Sequence, residues 1–276
     1  MNVQASYVVA SLVFAALTLT FLNKDLNLTS PASVLRGTSK NSGFDEVHSR
    51  AYAMINTLDL SDWKKNVFDK GTLESWERGT GGLEVRFRPS PVREVLGKYY
   101  YSANKVFEFR LGESTKIAAH INVPFYKVMD TDATWVGMAR DNSPDHFRFA
   151  FADIGQTVEW GYPSTPFLAK APFDYTIQSR ASEPEPFDIY FVDGRYRVAS
   201  ALASFLHALS KGMARDEIRV GIHDYTLAVR PHYHKIEHWT ERVEASKLLV
   251  VLKLKAGTTE DQLVEAWESF VSTDYS

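Results

Sequence analysis

Six short apolar runs divide the chain from residue 105 onward, and most end at or beside an acidic residue or Gly. They are Lys105–Arg110 (KVFEFR), Phe125–Asp130 (FYKVMD), Phe147–Asp153 (FRFAFAD), Phe187–Asp193 (FDIYFVD), Ile218–His223 (IRVGIH) and Lys247–Lys255 (KLLVVLKLK). Runs of this length read as buried strands. Helix-like stretches separate them: Ser114–His120, Ala133–Asp141, Arg197–Lys211 and Tyr233–Ala245. A further helix is predicted to start at Ser90, with Pro91 in its first turn, and to run to about Ser102. Strands alternating with helices predict an α/β fold with a doubly wound, mostly parallel sheet.

Glu108, Asp130, Asp153, Asp193 and Asp224 all fall at or just past the carboxyl ends of predicted strands. In open α/β sheets ligands bind outside that edge. One acid there is an ordinary loop residue or helix cap; five in register mark a ligand-binding edge.

On these residues the chain resembles the class I S-adenosylmethionine-dependent methyltransferases, over roughly 91–255. The family's first strand ends in an acid followed by a turn of the type E-x-G-x-G-x-S; here the stretch is Glu108-Phe109-Arg110-Leu111-Gly112-Glu113-Ser114. Met129-Asp130-Thr131-Asp132 matches the end of the second strand. Asp153-Ile154-Gly155-Gln156-Thr157-Val158-Glu159-Trp160-Gly161-Tyr162-Pro163 follows the third, and Val192-Asp193-Gly194-Arg195-Tyr196-Arg197 the fourth. His223-Asp224-Tyr225, Arg230-Pro231 and Tyr233-His234 complete the pattern of one subgroup. The resemblance implies a Rossmann-like class I methyltransferase fold. If S-adenosylmethionine is bound, it implies Glu108, Gly112, Asp130 and Asp153 as the cofactor-binding residues, with Asp130 on the ribose and Asp153 at the adenine edge. No catalytic residue is assigned; Asp193 and His223 are the candidates to orient or deprotonate an acceptor.

The departure from the pattern is chemical. Glycines in such a turn supply positive φ and let backbone approach a ligand closely. Arg110 and Glu113 stand where the first and third glycines would be, and only Gly112 remains. Arg110 brings bulk, and Glu113 brings a negative charge to a helix start that would otherwise favour an anion. Arg110 and Glu113 can pair with each other or with Glu108 and fill the site; alternatively Arg110 can take the cofactor's carboxylate. The expectation is a blocked pocket and no cofactor.

The amino terminus adds a second theme. None of the 20 residues from Val3 to Leu22 is charged, and a helix of that length spans ~30 Å, about the hydrocarbon core of a bilayer. No basic n-region or small-x-small cleavage site accompanies it, so a retained anchor over residues 1–22 is expected rather than a cleaved signal. A linker rich in Ser, Thr, Asn and Pro follows over 23–43, then a helical and irregular extension over 44–104 and the methyltransferase-like domain over 105–276. Residues 1–43 carry net charge +2, against −3 for the whole chain. The positive-inside rule then places the bulk on the cytoplasmic or matrix side. The mitochondrial inner membrane fits this arrangement, as does the endoplasmic reticulum.

The balance of 31 basic and 34 acidic residues gives no global footprint for nucleic acid. With no cysteine, thiolate metal sites, iron–sulfur clusters and cysteine nucleophiles are excluded. His223, His232, His234 and His238 form a loose group in sequence, with His234 and His238 on one face of the predicted helix; the expectation is a surface helix and no metal. Arg195 and Arg197 either bind an acidic group or lock their loop by pairing with Asp193 or Glu159. No P-loop, dinucleotide fingerprint, HExxH or EF-hand spacing is present.

Two functional expectations result. One is a pseudoenzyme: a membrane-anchored accessory subunit bound to the protein subunits of a membrane complex. The other is an active S-adenosylmethionine-dependent methyltransferase acting on a small molecule, lipid or glycan near the bilayer.

Overall fold

The computed structural model describes residues 91–157, 171–228 and 230–273. All of them belong to the unit Asn41–Ser276. The expected anchor, the linker, most of the extension and the Trp160–Pro163 element lie outside the described residues.

Seven strands form one sheet in the order β3-β2-β1-β4-β5-β7-β6. They are β1 (Lys105–Phe109), β2 (Phe125–Asp130), β3 (Arg148–Phe151), β4 (Ile189–Val192), β5 (Val220–Ile222), β6 (Thr240–Ser246) and β7 (Leu249–Leu254). The first five run parallel. β7 is antiparallel to both β5 and β6. The expected doubly wound, mostly parallel sheet is therefore present.

Strand alternation sorts side chains onto two cores. From β1, Phe107 and Phe109 enter one core and Val106 the other; from β4, Tyr190 and Val192 oppose Ile189 and Phe191 in the same way. The second core is roofed by α1 (Pro91–Ser102), α2 (Glu113–Ile121) and α3 (Ala133–Asp141). The first is covered by α4, α5 (Arg197–Ser210) and α6 (Glu260–Thr273). Here α4 is an α turn at Ala171–Phe173, a π segment at Asp174–Gln178 and an α turn at Ser179–Ala181.

Local chemistry sets the boundaries. Asp132 caps α3, its carboxylate accepting from the Thr134 and Trp135 N–H groups at 2.8 and 3.1 Å. Asn122 closes α2 at φ 58°, a left-handed C-cap that asparagine tolerates. α5 is buried over nearly its whole surface because the sheet takes one side and α6 another.

One segment differs from expectation. The helix expected over Tyr233–Ala245 is only partly present: a 3-10 helix at Pro231–His238 covers its first half and gives way to β6. β6 (TERVEAS) is mostly exposed and carries the charges of Glu241, Arg242 and Glu244, as suits an edge strand that must avoid pairing with other chains. That composition carries no buried-strand signal. Among the described residues no helix is long and apolar enough to cross a membrane.

Candidate functional site

The direction of chain winding reverses between β1 and β4, so the ligand crevice of this sheet opens at their carboxyl ends. Backbone strain gathers there. Arg110, after β1, has φ 81°; Tyr196, after β4, has φ 51°; Asp224, after β5, has φ 55°. Left-handed conformations disfavour side chains and persist where surrounding structure imposes them.

Arg110 takes the left-handed turn although it carries a side chain. Its N–H donates to the Met129 carbonyl at 2.6 Å, tying the turn to β2. Its charge favours ionisation of both Asp130 and Asp193. Neither pairing with Glu113 nor pairing with Glu108 is its arrangement. Glu113 is engaged by Arg93 of α1 at 2.5 Å. Glu108 faces the opposite core.

Glu108 is wholly buried. Tyr100 donates to it at 3.1 Å, and Ser114 and Tyr126 also donate. Burial outweighs these bonds and lifts its pKa to about 8. It is an internal carboxyl beneath α1 and α2.

Asp130 lies at the end of β2, as expected, and backbone takes three of the roughly four acceptor positions of its carboxylate. Oδ2 accepts from Leu111 N–H at 2.8 Å; Oδ1 accepts from Thr131 at 2.6 Å and Asp132 at 2.9 Å. Burial raises its pKa against the opposing effect of those bonds. Gly112 begins α2, its N–H donating to Thr115 Oγ1 at 3.2 Å, and a Cβ there would meet open space. Asp153 accepts from Gly155 N–H at 2.8 Å, which fixes its own loop.

The two catalytic candidates do meet. His223 Nδ1 lies 3.0 Å from Asp193 Oδ1 and 3.6 Å from Asp224 Oδ1. Arg197 bridges the same carboxylates, at 3.1 Å to Asp193 and 3.0 Å to Asp224. It also donates to the Gly194 and His223 carbonyls at 3.0 and 2.5 Å. Arg197 therefore locks its loop, one of the two roles expected for it. Burial works against the His223 cation, but the bond to Asp193 and the two carboxylate charges raise its pKa above the ordinary value. Burial likewise opposes the Asp193 charge, and His223, Arg197 and Arg110 together hold its pKa below the usual range. Asp193, His223 and Asp224 have the donor set and closeness of a metal site, with the Arg197 guanidinium already bonded to both acids. His234 stands apart, at 3.2 Å from Glu237 on the 3-10 helix.

Tyr175 is the site residue the sequence reading missed. It comes from the π segment of α4 and is almost fully buried. Its ring stacks on Phe109 at 5.6 Å and lies 5.7 Å from Tyr196. Its hydroxyl accepts from Arg195 N–H at 2.9 Å. A Cβ at Gly194 would overlap that hydroxyl and lie 3.5 Å from Arg110 Cβ. A separate groove of about 330 Å³ runs between α2 and α3, walled by Leu111, Trp135 and Met138. Its lining includes Gly112 and Glu113 of the turn after β1, and none of Asp193, His223 and Asp224.

No known family model matches the chain, and no curated protein matches it. Among solved structures, a methyltransferase-like protein from Silicibacter pomeroyi DSS-3 superposes with a TM-score of 0.54 and 22% identity, over 67% of this chain and 95% of that one. The N-methyltransferase NodS from Bradyrhizobium japonicum WM9 gives 0.37 and 14%, over 68% and 99%. A TehB-like SAM-dependent methyltransferase from Corynebacterium glutamicum gives 0.32 and 11%, over 76% and 98%. The fold is a Rossmann-like methyltransferase fold.

Proposed function

We propose that this chain is a catalytically degenerate methyltransferase-fold protein, held at a membrane by Val3–Leu22 and serving as an accessory subunit of a membrane protein assembly. The observation that carries the degenerate reading is Arg110: a charged side chain sits in a left-handed turn, beside two acids of the ligand edge. The residues present fit S-adenosylmethionine poorly. Three backbone donors engage Asp130, the carboxylate the resemblance assigns to ribose, and Tyr175 packs against the loop after β4. The uncharged amino-terminal segment supports anchoring.

A second reading rests on the His223–Asp193 pair. A histidine oriented through Nδ1 by a carboxylate has the arrangement of a general base, so an active methyltransferase would use these two residues on its acceptor. Calorimetry with S-adenosylmethionine on the full-length protein in detergent separates the readings. No heat of binding at 100 μM ligand is expected. Micromolar binding would reverse the conclusion in favour of the enzyme.

A further inference from the structure

We propose that Tyr175 is an internal ligand of the switch-point crevice: its phenol fills the space at the ends of β1 and β4 where a bound ligand would lie. The proposal rests on the degenerate reading and adds a second physical cause beside Arg110.

Four observations converge. The crevice position is set by topology, between β1 and β4. Tyr175 reaches it from α4, stacking on Phe109, the last residue of β1. Its hydroxyl is bonded to Arg195 N–H in the loop after β4, so one side chain spans both strand ends. Gly194 completes the fit, since only a residue without Cβ leaves room for the hydroxyl. Asp130, Arg110 and Arg195 all lie near enough for their charges to act on the phenol. A flat ring with one polar end, touching both strand ends, is thus supplied from within the chain.

The π segment explains how Tyr175 gets there. A π turn inserts one extra residue into a helix and shifts the facing of side chains around it. The segment is pinned on its far side: Thr176 Oγ1 donates to the Pro172 carbonyl at 2.6 Å and accepts from Trp267 Nε1 at 3.0 Å. Arg180 donates to the Thr176 carbonyl and, at 2.6 Å, to Ser204. These bonds hold Tyr175 inward.

The test replaces the missing ring. Tyr175→Ala leaves a cavity shaped for a phenol, walled by Phe109 and Tyr196 with the Arg195 N–H at one end, and a small aromatic molecule that matches both the ring and the polar end can refill it. p-Cresol is the side chain itself; toluene has the same ring without the hydroxyl that satisfies Arg195. Thermal unfolding is read for wild type and Tyr175→Ala, with 5 mM p-cresol, 5 mM toluene or neither. The variant is expected to melt lower, and p-cresol to recover at least 3 °C of the loss. Toluene should recover less, and wild type should respond to neither. Equal p-cresol responses in variant and wild type would overturn the proposal. If the variant does not fold alone, its refolded yield with and without p-cresol is read instead, and no gain overturns it equally. S-adenosylmethionine binding by wild type would end the degenerate reading. Absence of both that binding and any cresol response would leave that reading standing and remove only Tyr175 as its cause.

Discussion

Gly194 and Tyr175 occupy one space: a Cβ at the glycine would fall on the phenol's hydroxyl oxygen and lie 2.9 Å from Cζ. Gly194→Ala must therefore displace the Tyr175 ring, or the loop, or both. Overpacking of this kind costs about 1–3 kcal/mol. Urea unfolding should show that loss in the wild-type background and a smaller one in Tyr175→Phe, where the nearest obstruction is gone. Equal losses in both backgrounds would mean that Gly194 is constrained by something other than the hydroxyl.

Arg110 and Glu113 should prove unequal, although they look equivalent in the turn motif. Glu113 is half exposed and bonded to Arg93 at 2.5 Å, whereas Arg110 acts on Asp130 and Asp193. In a Tyr175→Ala background, Arg110→Gly should raise affinity for S-adenosylhomocysteine at least tenfold, about 1.4 kcal/mol. Glu113→Gly should leave it within about twofold, less than half that free energy. Calorimetry decides, and a Glu113 effect as large as that of Arg110 would contradict this ranking.

Glu108 links stability to pH. Its pKa is about 8 when folded and near 4.5 ordinarily. The native state therefore keeps a proton that the unfolded state releases. Stability falls as pH rises from about 4.5 through about 8, by an amount on the order of 4 kcal/mol. Glu108→Gln, neutral at every pH, should flatten the melting temperature across that window and melt above wild type at pH 8.5. An unchanged slope would assign the pH dependence elsewhere.

His223 shifts stability in the same direction through a different partner. Its raised pKa means that the cation's contribution is present in full below about pH 6.5 and is lost as pH rises through the folded value. The lowered pKa of Asp193 sets the acid limit: its contribution is present above about pH 3.9 and disappears as pH falls through the folded value. His223→Gln should cost about 1 kcal/mol at pH 5.5, and measurably less at pH 9. Urea midpoints at the two pH values measure the difference. A cost independent of pH would show that the ring matters for packing and not for its charge.

The membrane anchor stands on its own experiment. The full-length chain should stay in the pellet on alkaline carbonate extraction, and a chain lacking residues 1–22 should be released. Release of the full-length chain would rule out Val3–Leu22 as an integral span.

Much of the fold was legible from residue pattern. β2 and α3 begin and end at Phe125–Asp130 and Ala133–Asp141, as the sequence reading had them, because apolar runs and the Asp132 cap are local signals. β6 was not legible, since an exposed edge strand buries too little to show a period. α6 was missed although its signals are present. Thr259 and Gln262 cap its start reciprocally at 2.9 and 3.2 Å, and Leu263, Ala266, Trp267 and Phe270 follow at helical spacing. In the site, the acids at strand ends were readable one by one, but the Asp193–His223 bond was not, because it joins the ends of two different strands. The orientation of Glu108 follows from strand alternation, which places it on the face opposite Phe107 and Phe109. Tyr175 gave no sign: nothing local in a short helical stretch tells which strand ends its ring will reach.

β5 pairs outward only with Val250–Leu252 of β7. During synthesis the chain emerges from its amino terminus, so the parallel half of the sheet is complete while β5 still has an open side. Unpaired strand edges invite association with other chains, and partly made domains are the species most exposed to it. The ribosome must add β6 and β7 before that edge is sealed, and α6 before α5 is covered. Closure of the sheet thus waits for Leu249–Leu254, and nascent chains halted before Leu249 should be strong chaperone clients.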